Sequence, residues 1–383
     1  MRIGIIGTRG IPNHYGGFEQ FAEYLSVGLV NRGHQITVYN SHDHPYQEKE
    51  WNGVEIIHCF DPEDKIGTKG QFVYDFNCII DARKRDFDII LQLGYTSSSV
   101  WGWLLPRKKC VVTTNMDGLE WKRMKFTPRV RRFLKFAEKL GVHFSDHLIS
   151  DSIGIQKHIK ETYNKESLYI PYGADLFIDP CPKCLDKFNI EPYKFNMLIA
   201  RLEPENSLEI ILDGVTLAKN DEPFLVIGNH ETSFGAYLKD KFKDQKHIRF
   251  IGGLYDMALL NNLRHYSNLY FHGHTVGGTN PSLLEAMSSQ ALIIAHNNIF
   301  NASILGTDAY YFLTAKDVSG FIDNVHKSGE LLKIEANEHK IQDTYSWETI
   351  VTQYESHFKA ITKSKEVLPQ NLAPLLNSKV KVH

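Results

Sequence analysis

Cysteine is scarce and odd in number, with five scattered residues in a chain of 383. That argues against a disulfide framework and points to a reducing compartment. Cys181 and Cys184 form a lone C-x-x-C. A structural zinc needs about four ligands and no second pair lies nearby, so the pair reads as part of a connector. Long apolar runs are also missing; none approaches the roughly 18–20 residues of a membrane span. Met1-Arg2 leads straight into Ile3-Gly4-Ile5-Ile6, too short an apolar stretch for a secretory signal. The expectation is a cytoplasmic protein, free or resting on the inner face of a membrane. Nor does charge of one sign prevail. The net charge is -2, which excludes a global basic field drawing the molecule onto nucleic acid.

What is present suits two globular cores. The chain is 42% hydrophobic and 23% charged, an ordinary balance, and its length matches about two domains. Short apolar strands alternate with helical periods. Arg2–Gly7, Gln35–Tyr39, Asp88–Leu93, Lys109–Thr114 and His147–Ser150 read as buried strands. Phe18, Phe21, Ala22, Leu25, Leu29 and Val30 recur at helical spacing, closed by Arg32-Gly33. The pattern restarts at Phe195–Ala200 and continues through Phe224–Ile227, Ile248–Ile251, Leu269–His272 and Leu292–Ala295. Continuous apolar strands between helices predict parallel sheets covered on both faces. The fold class is therefore α/β, with two doubly wound units. Leu176 to Pro192, with its three prolines, reads as the linker. Trp347, Ile350, Val351, Tyr354, Phe358 and Ile361 describe a last amphipathic helix, and the residues after Lys363 a loose tail. The boundaries expected are 1–175, 176–344, a helix over 345–363, and a tail over 364–383.

The loop Gly7-Thr8-Arg9-Gly10-Ile11-Pro12-Asn13-His14-Tyr15-Gly16-Gly17 is too long for the G-x-G-x-x-G turn of a dinucleotide site. The second strand ends in Asn40-Ser41, without the acidic residue that would hold a ribose. Gly16 and Gly17 nevertheless precede a helix, where bare backbone N–H groups can approach a phosphate. A flexible surface loop is the other reading. The second half holds a stronger pattern. Gly277-Gly278-Thr279-Asn280 precedes Pro281-Ser282-Leu283-Leu284-Glu285-Ala286-Met287. Asn280 is a good N-cap and Pro281 suits the first helical position, so this helix presents free N–H groups and a positive dipole end. Glu285 lies about one turn in, suited to ribose hydroxyls or to plain solvation. Arg201 leaves the end of a strand, where doubly wound sheets bind ligands, and guanidinium pairs well with diphosphate oxygens.

Arg201-Leu202-Glu203-Pro204-Glu205, Phe250-Ile251-Gly252 and the glycine loop ending in Glu285-Ala286-Met287 resemble the GT-B glycosyltransferases of family four. Gly7–Glu19 and Asn115-Met116-Asp117-Gly118-Leu119-Glu120-Trp121-Lys122-Arg123 look like a narrower branch, bacterial rhamnosyltransferases with a DUF1972-type N-terminal domain. The resemblance implies two Rossmann-like domains facing across a cleft. It implies Arg201 on the donor diphosphate, Glu285 on the ribose, and Gly228, Asn229 and Gly252 lining the base pocket. Gly16 and Gly17 close over the phosphates, Asp117 stands near the transferred sugar, and Pro171-Tyr172-Gly173-Ala174-Asp175 is the hinge. The last helix is expected to return to the N-terminal domain.

Two positions depart from the family. Gly277 stands where a sugar-contacting Glu is usual, and Asn206 where a Lys is usual. Gly278, Thr279, Asn280, Ser282 and Asn206 are then the remaining donor-side candidates. The activity implied is retaining transfer of a sugar, L-rhamnose from dTDP-rhamnose, to a saccharide or lipid-diphosphate-saccharide acceptor. Asp117 and Arg201 are the catalytic candidates. No cofactor is called for, and no D-x-D motif is read as a divalent-metal site. The alternatives are a UDP- or GDP-sugar transferase, a nucleotide-sugar epimerase, or an inactive sugar-nucleotide-binding protein. Lys122, Arg123, Lys125, Arg129, Arg131, Arg132, Lys135 and Lys139 crowd one stretch with Trp121, Met124, Phe126, Phe133, Leu134 and Phe136 interleaved. That reads either as an anionic-membrane surface element or as a solvated helix face.

Overall fold

The computed structural model describes residues 1–116, 118–123 and 126–366, with side chains to 363. Two sheets form in chain order. The first holds β1 (Arg2–Ile6), β2 (Gln35–Ser41), β3 (Glu50–Trp51), β4 (Val54–Cys59), β5 (Ile89–Leu93), β6 (Val111–Asn115), β7 (His147–Ser150) and β8 (Leu168–Tyr169). The second holds β9 (Asn196–Ile199), β10 (Phe224–Ile227), β11 (Ile248–Gly252), β12 (Leu269–His272), β13 (Ile293–His296) and β14 (Tyr310–Phe312). Their orders are β3-β4-β2-β1-β5-β6-β7-β8 and β11-β10-β9-β12-β13-β14. Only β3 with β4 is antiparallel; the other pairs run parallel. In each sheet the winding reverses once, between β1 and β5 and between β9 and β12.

The central strands are buried along their length, as their unbroken apolar runs require. Four strands carry no readable signal. β3 and β8 have two residues each and β14 has three, too few to show a period. In β4, Glu55 and His58 interrupt Val54, Ile56, Ile57 and Cys59, which fits neither alternation nor a continuous run. All four lie at or beside a sheet edge. The stretch Leu176–Pro192 is more than a linker. It contains a 3-10 segment, Pro182–Phe188, whose Leu185 is wholly buried, and Cys181 N donates to Asn262 Oδ1 at 2.6 Å. Cys181 and Cys184 are free thiols.

The helix Trp347–Glu366 runs from the second sheet back onto the first. Phe21 packs against Tyr354 with ring centroids 5.2 Å apart, and Tyr24 stacks on Trp347 at 4.5 Å. Arg32 and His34 both reach Glu355, at 3.2 and 2.9 Å. Thr113 meets His357 at 3.1 Å, and Asn115 Nδ2 donates to Tyr354 Oη at 3.0 Å. One apolar cluster thereby runs through both units, from Phe21 and Leu25 through Tyr172 and Trp347 to Leu283 and Met287. Among the described residues no helix is long and apolar enough to cross a membrane.

Tyr354 tests this strap. Tyr354→Ala should cost about 3–5 kcal/mol, as large aromatic truncations do. Tyr354→Phe keeps the ring but strands the buried Asn115 amide, for about 1–3 kcal/mol. Urea denaturation distinguishes them; equal losses would assign the whole effect to the hydroxyl.

Candidate functional site

β9 and β12 are neighbours at the reversal of the second sheet, so the loops leaving them border a crevice. Arg201 stands two residues past β9. It is exposed, and its guanidinium has no hydrogen-bond or ion-pair partner among the described residues. Its carbonyl accepts Asn206 Nδ2 at 2.7 Å. Asn206 therefore shapes the Arg201 turn and is buried; it does not hold its amide out toward the crevice.

The loop after β12 leads into the helix Pro281–Ser288. Asn280 caps it, accepting Ser282 N at 2.9 Å. Glu285 is not simply a solvated carboxylate. Its Oε2 meets Arg264 Nη2 at 2.6 Å, and Arg264 is 1% exposed. The same nitrogen donates to Ser282 Oγ at 3.2 Å, and Ser282 Oγ lies 3.0 Å from Tyr270 Oη. Ser282 is thus occupied within the fold. Glu285 keeps Oε1 without a hydrogen-bond partner among the described residues, one open acceptor oriented by a buried cation.

The first unit closes against this loop. Thr279 N donates to Asp151 Oδ2 at 3.1 Å, and Thr279 Oγ1 donates to the Asp151 carbonyl. A Cβ on Gly278 would fall 1.9–2.2 Å from the Asp151 carboxyl atoms, so only glycine fits there. Gly277 has φ +138°, and the space beyond it is open. A Cβ on Gly118 would lie 3.6 Å from Gly277 Cα, and one on Gly17 would lie 3.6 Å from Pro281 Cγ. The helix Gly17–Asn31 carries no side-chain cap on Gly16. Two helix N-termini, Gly17 and Pro281, therefore meet across the crevice, each with its positive dipole end inward. Glu19, inside the first turn, is buried and accepts Arg9 N at 2.8 Å and Thr8 Oγ1 at 3.2 Å, so it braces the loop before it.

Gly228 follows β10 and Gly252 ends β11, with the His230 ring 3.4 Å from where a Gly252 Cβ would stand. Asn229 is exposed and accepts Glu231 N at 2.9 Å, a local turn. Asp117 lies outside the described residues, as do Met124 and Lys125. Asp86-Phe87-Asp88 has the D-x-D spacing, but it precedes β5 at the far end of the first sheet, where both carboxylates engage Arg2 at 3.1 and 3.4 Å. Arg264, Asp151, His272 and His274 were not singled out from the sequence. Arg264 sits in Asn261-Asn262-Leu263-Arg264, a helical run with no distinctive spacing, and Asp151 lies 128 residues from its partner. The repeated His on either side of Gly273 was the one legible signal.

The comparisons bear on this geometry. Residues 1–175 match the family model described as Domain of unknown function (DUF1972). Sucrose-phosphate synthase from Thermosynechococcus elongatus superposes with a TM-score of 0.77 at 13% identity, over 95% of this chain and 99% of that one. The fold is GT-B. Anabaena HepE, in complex with UDP and glucose, gives a TM-score of 0.72 at 13% identity over 94% of this chain and 99% of its own. An α,α-trehalose 6-phosphate synthase from Burkholderia multivorans gives 0.69 at 11% identity, over 96% and 98%. No curated protein matches the sequence. At such identities the GT-B architecture is what is shared, with the crevice between the units as its characteristic opening.

Two outcomes check the site. Glu285→Ala should cost about 3–5 kcal/mol by stranding buried Arg264, and adding Arg264→Met should recover most of it; denaturant melts read both. Gly278→Ala should separate the Asp151 contact and open the crevice, measured as a larger radius of gyration in small-angle X-ray scattering.

Proposed function

We propose that the chain is a glycosyltransferase that takes a nucleotide-diphosphate sugar into this crevice and moves the sugar to a saccharide acceptor. The observation that carries the reading is that two helix N-termini face each other while Arg201, unpaired among the described residues, bears on His274 in the loop before one of them, an arrangement suited to a diphosphate. HepE, of the same fold, is described in complex with UDP and glucose. Glu285 Oε1 would accept one ribose hydroxyl, with Arg264 fixing its direction. Gly228, Gly252 and His230 would border the base.

As the glycosidic bond to the donor breaks, negative charge grows on the departing diphosphate. Arg201 and the oriented N–H groups stabilise that charge without moving, which is where most catalytic gain of this kind arises. We read the transfer as retaining, by front-face attack, and Gly277 supports that reading. Glycine at this position offers no side-chain carboxylate as a nucleophile, and in our reading the departing phosphate takes the acceptor proton. The open space beyond Gly277 favours a donor whose sugar needs no carboxylate contact, and L-rhamnose from dTDP-rhamnose is the donor we assign.

On the acceptor side we read a lipid-linked saccharide brought to an anionic surface. The helix Pro128–Phe144 exposes Arg129, Arg132, Lys135 and Lys139 together with Val130 and Phe136, and Trp103 is exposed nearby. Trp121 is not part of that face. Its Nε1 donates to Glu138 Oε2 at 2.9 Å, and Lys135 Nζ lies 4.3 Å from its ring centroid. Glu138 is buried, yet hydrogen bonds from His158, Tyr163 and Trp121 hold it below the usual carboxylate range.

Arg201→Ala should lower turnover about 10²–10³-fold, the scale for losing one preorganised charge-stabilising group, while leaving circular dichroism unchanged; undiminished turnover would remove Arg201 from the mechanism. Among nucleotide sugars, dTDP-rhamnose should give the largest thermal shift, and a larger shift from a UDP- or GDP-sugar would reassign the donor. Flotation with anionic liposomes should carry the protein at low salt, and failure to float would reject the membrane surface.

A further inference from the structure

His272 ends β12, and His274 follows beyond Gly273. Their rings stack with centroids 4.4 Å apart and 19° between planes. His272 is fully buried, and among the described residues neither of its ring nitrogens has a hydrogen-bond partner; Nδ1 of His274 has none either. A neutral imidazole offers one N–H donor and one acceptor, and buried polar atoms are seldom left unsatisfied. Three such atoms in one stack mark a place built for something the protein does not itself supply.

The stack stands where β12 runs out into the glycine loop that borders the crevice. His274 carries the loop that becomes Gly277-Gly278, and its carbonyl accepts Asn298 Nδ2 at 3.0 Å and Asn301 Nδ2 at 3.1 Å. The charged groups facing it come from several elements. Arg201 bears on His274 from beyond β9, and Arg123 bears on it from the first unit. Arg123 is paired with Glu120 at 2.7 Å, and Arg264, paired with Glu285, bears on His272. The turn Pro204–Asn206 adds Glu205, whose buried carboxylate has no hydrogen-bond partner among the described residues and whose carbonyl accepts Thr275 Oγ1 at 2.7 Å. His296 adjoins through Asn298 Nδ2, at 3.2 Å from its Nδ1.

We propose that His274 is a second ligand for the donor diphosphate and binds one proton from solvent as the diphosphate enters. This rests on the reading of the crevice as a nucleotide-diphosphate site. Asn206 brings no positive charge, and its amide is committed to the Arg201 carbonyl. Among the described residues the other cation bearing on His274, Arg123, is paired with Glu120, so the imidazole supplies a second positive charge beside Arg201 when an anion is present. Burial, then Arg201 and Arg123, push His274 down to about 3. It is neutral in the empty site at neutral pH. An incoming diphosphate offsets both guanidinium charges and adds an acceptor, so the charged imidazole becomes the favoured form. Uptake of a proton on binding means that affinity rises as pH falls, over the range between the free-site value and the bound-site value. His272, stacked beneath, is a positioning residue that holds the ring plane.

The test is titration calorimetry of the full chain with UDP-glucose, GDP-mannose and dTDP-rhamnose, in buffers of differing ionisation enthalpy. Diphosphate diesters do not titrate between about pH 6 and 8, so a proton taken up belongs to the protein. The wild type should take up close to one proton per nucleotide bound at pH ~6, and less at pH ~8. His274→Asn should take up none and bind about tenfold more weakly at pH ~6, with the difference shrinking at pH ~8. His274→Lys puts a more basic group in the place of the ring, so it should outbind the wild type by more at pH ~8 than at pH ~6; a merely structural role for the ring would not produce that. Unchanged proton uptake in His274→Asn, or binding to the wild type without uptake, overturns the proposal while leaving the nucleotide site intact. No binding by the wild type to any of the three nucleotides overturns the site reading itself, and this inference with it.

Discussion

The contact between Asp151 and the pair Gly278-Thr279 sets the geometry of everything around it. It is made by a carboxylate from the first unit and a backbone N–H from the second, 128 residues away. It requires that position 278 carry no side chain, since any Cβ would overlap the carboxyl group. From that one closure follow the approach of Gly17 to Pro281 and of Gly118 to Gly277. The two helix dipoles then act on a common space, where each reinforces the other's attraction for an anion.

Burial does the rest of the work of orientation. Arg264 is among the largest fully buried side chains, and such a charge is tolerable only when paired and hydrogen-bonded. Glu285, Ser282 and Asn261 supply those partners. The consequence for chemistry is that Glu285 has one oxygen fixed and one free. The helix Trp347–Glu366 plays a comparable part at larger scale, tying the first sheet to the second through Tyr354, His357 and Glu355. In the same way, Glu138 turns part of an apparently basic surface helix inward and separates Trp121 from the exposed cationic face.

Much of the architecture was legible because its signals are local. Strands such as Phe224–Ile227 and Leu269–His272 are uninterrupted apolar runs, and burial on both faces of a parallel sheet demands that pattern. Asn280-Pro281 announces a helix start through a hydrogen bond spanning two residues. Three of the missed strands have two or three residues at sheet edges, where propensity has no length over which to act, and the fourth, β4, mixes polar and apolar residues without a period. In the site, Thr279, Ser282 and Asn206 were donor-side candidates through the family resemblance. Each has its polar group engaged by a partner within the fold: Asp151, Tyr270 with Arg264, and the Arg201 carbonyl.

By itself the sequence determined the α/β class, the two windings, and the position of Arg201 and of the Gly277–Met287 segment at strand ends. Those depend on hydrophobic period and on backbone chemistry within a few residues. Tertiary structure alone decided which polar groups remain open for a ligand. A hydroxyl or amide reads the same whether it faces a crevice or a carbonyl, and its partner comes from chain folded in from far away. Among the described residues Arg201 stays unpaired, Glu285 is half engaged, and three ring nitrogens of the His272–His274 stack have no partner. These distinctions exist only once the two units have closed.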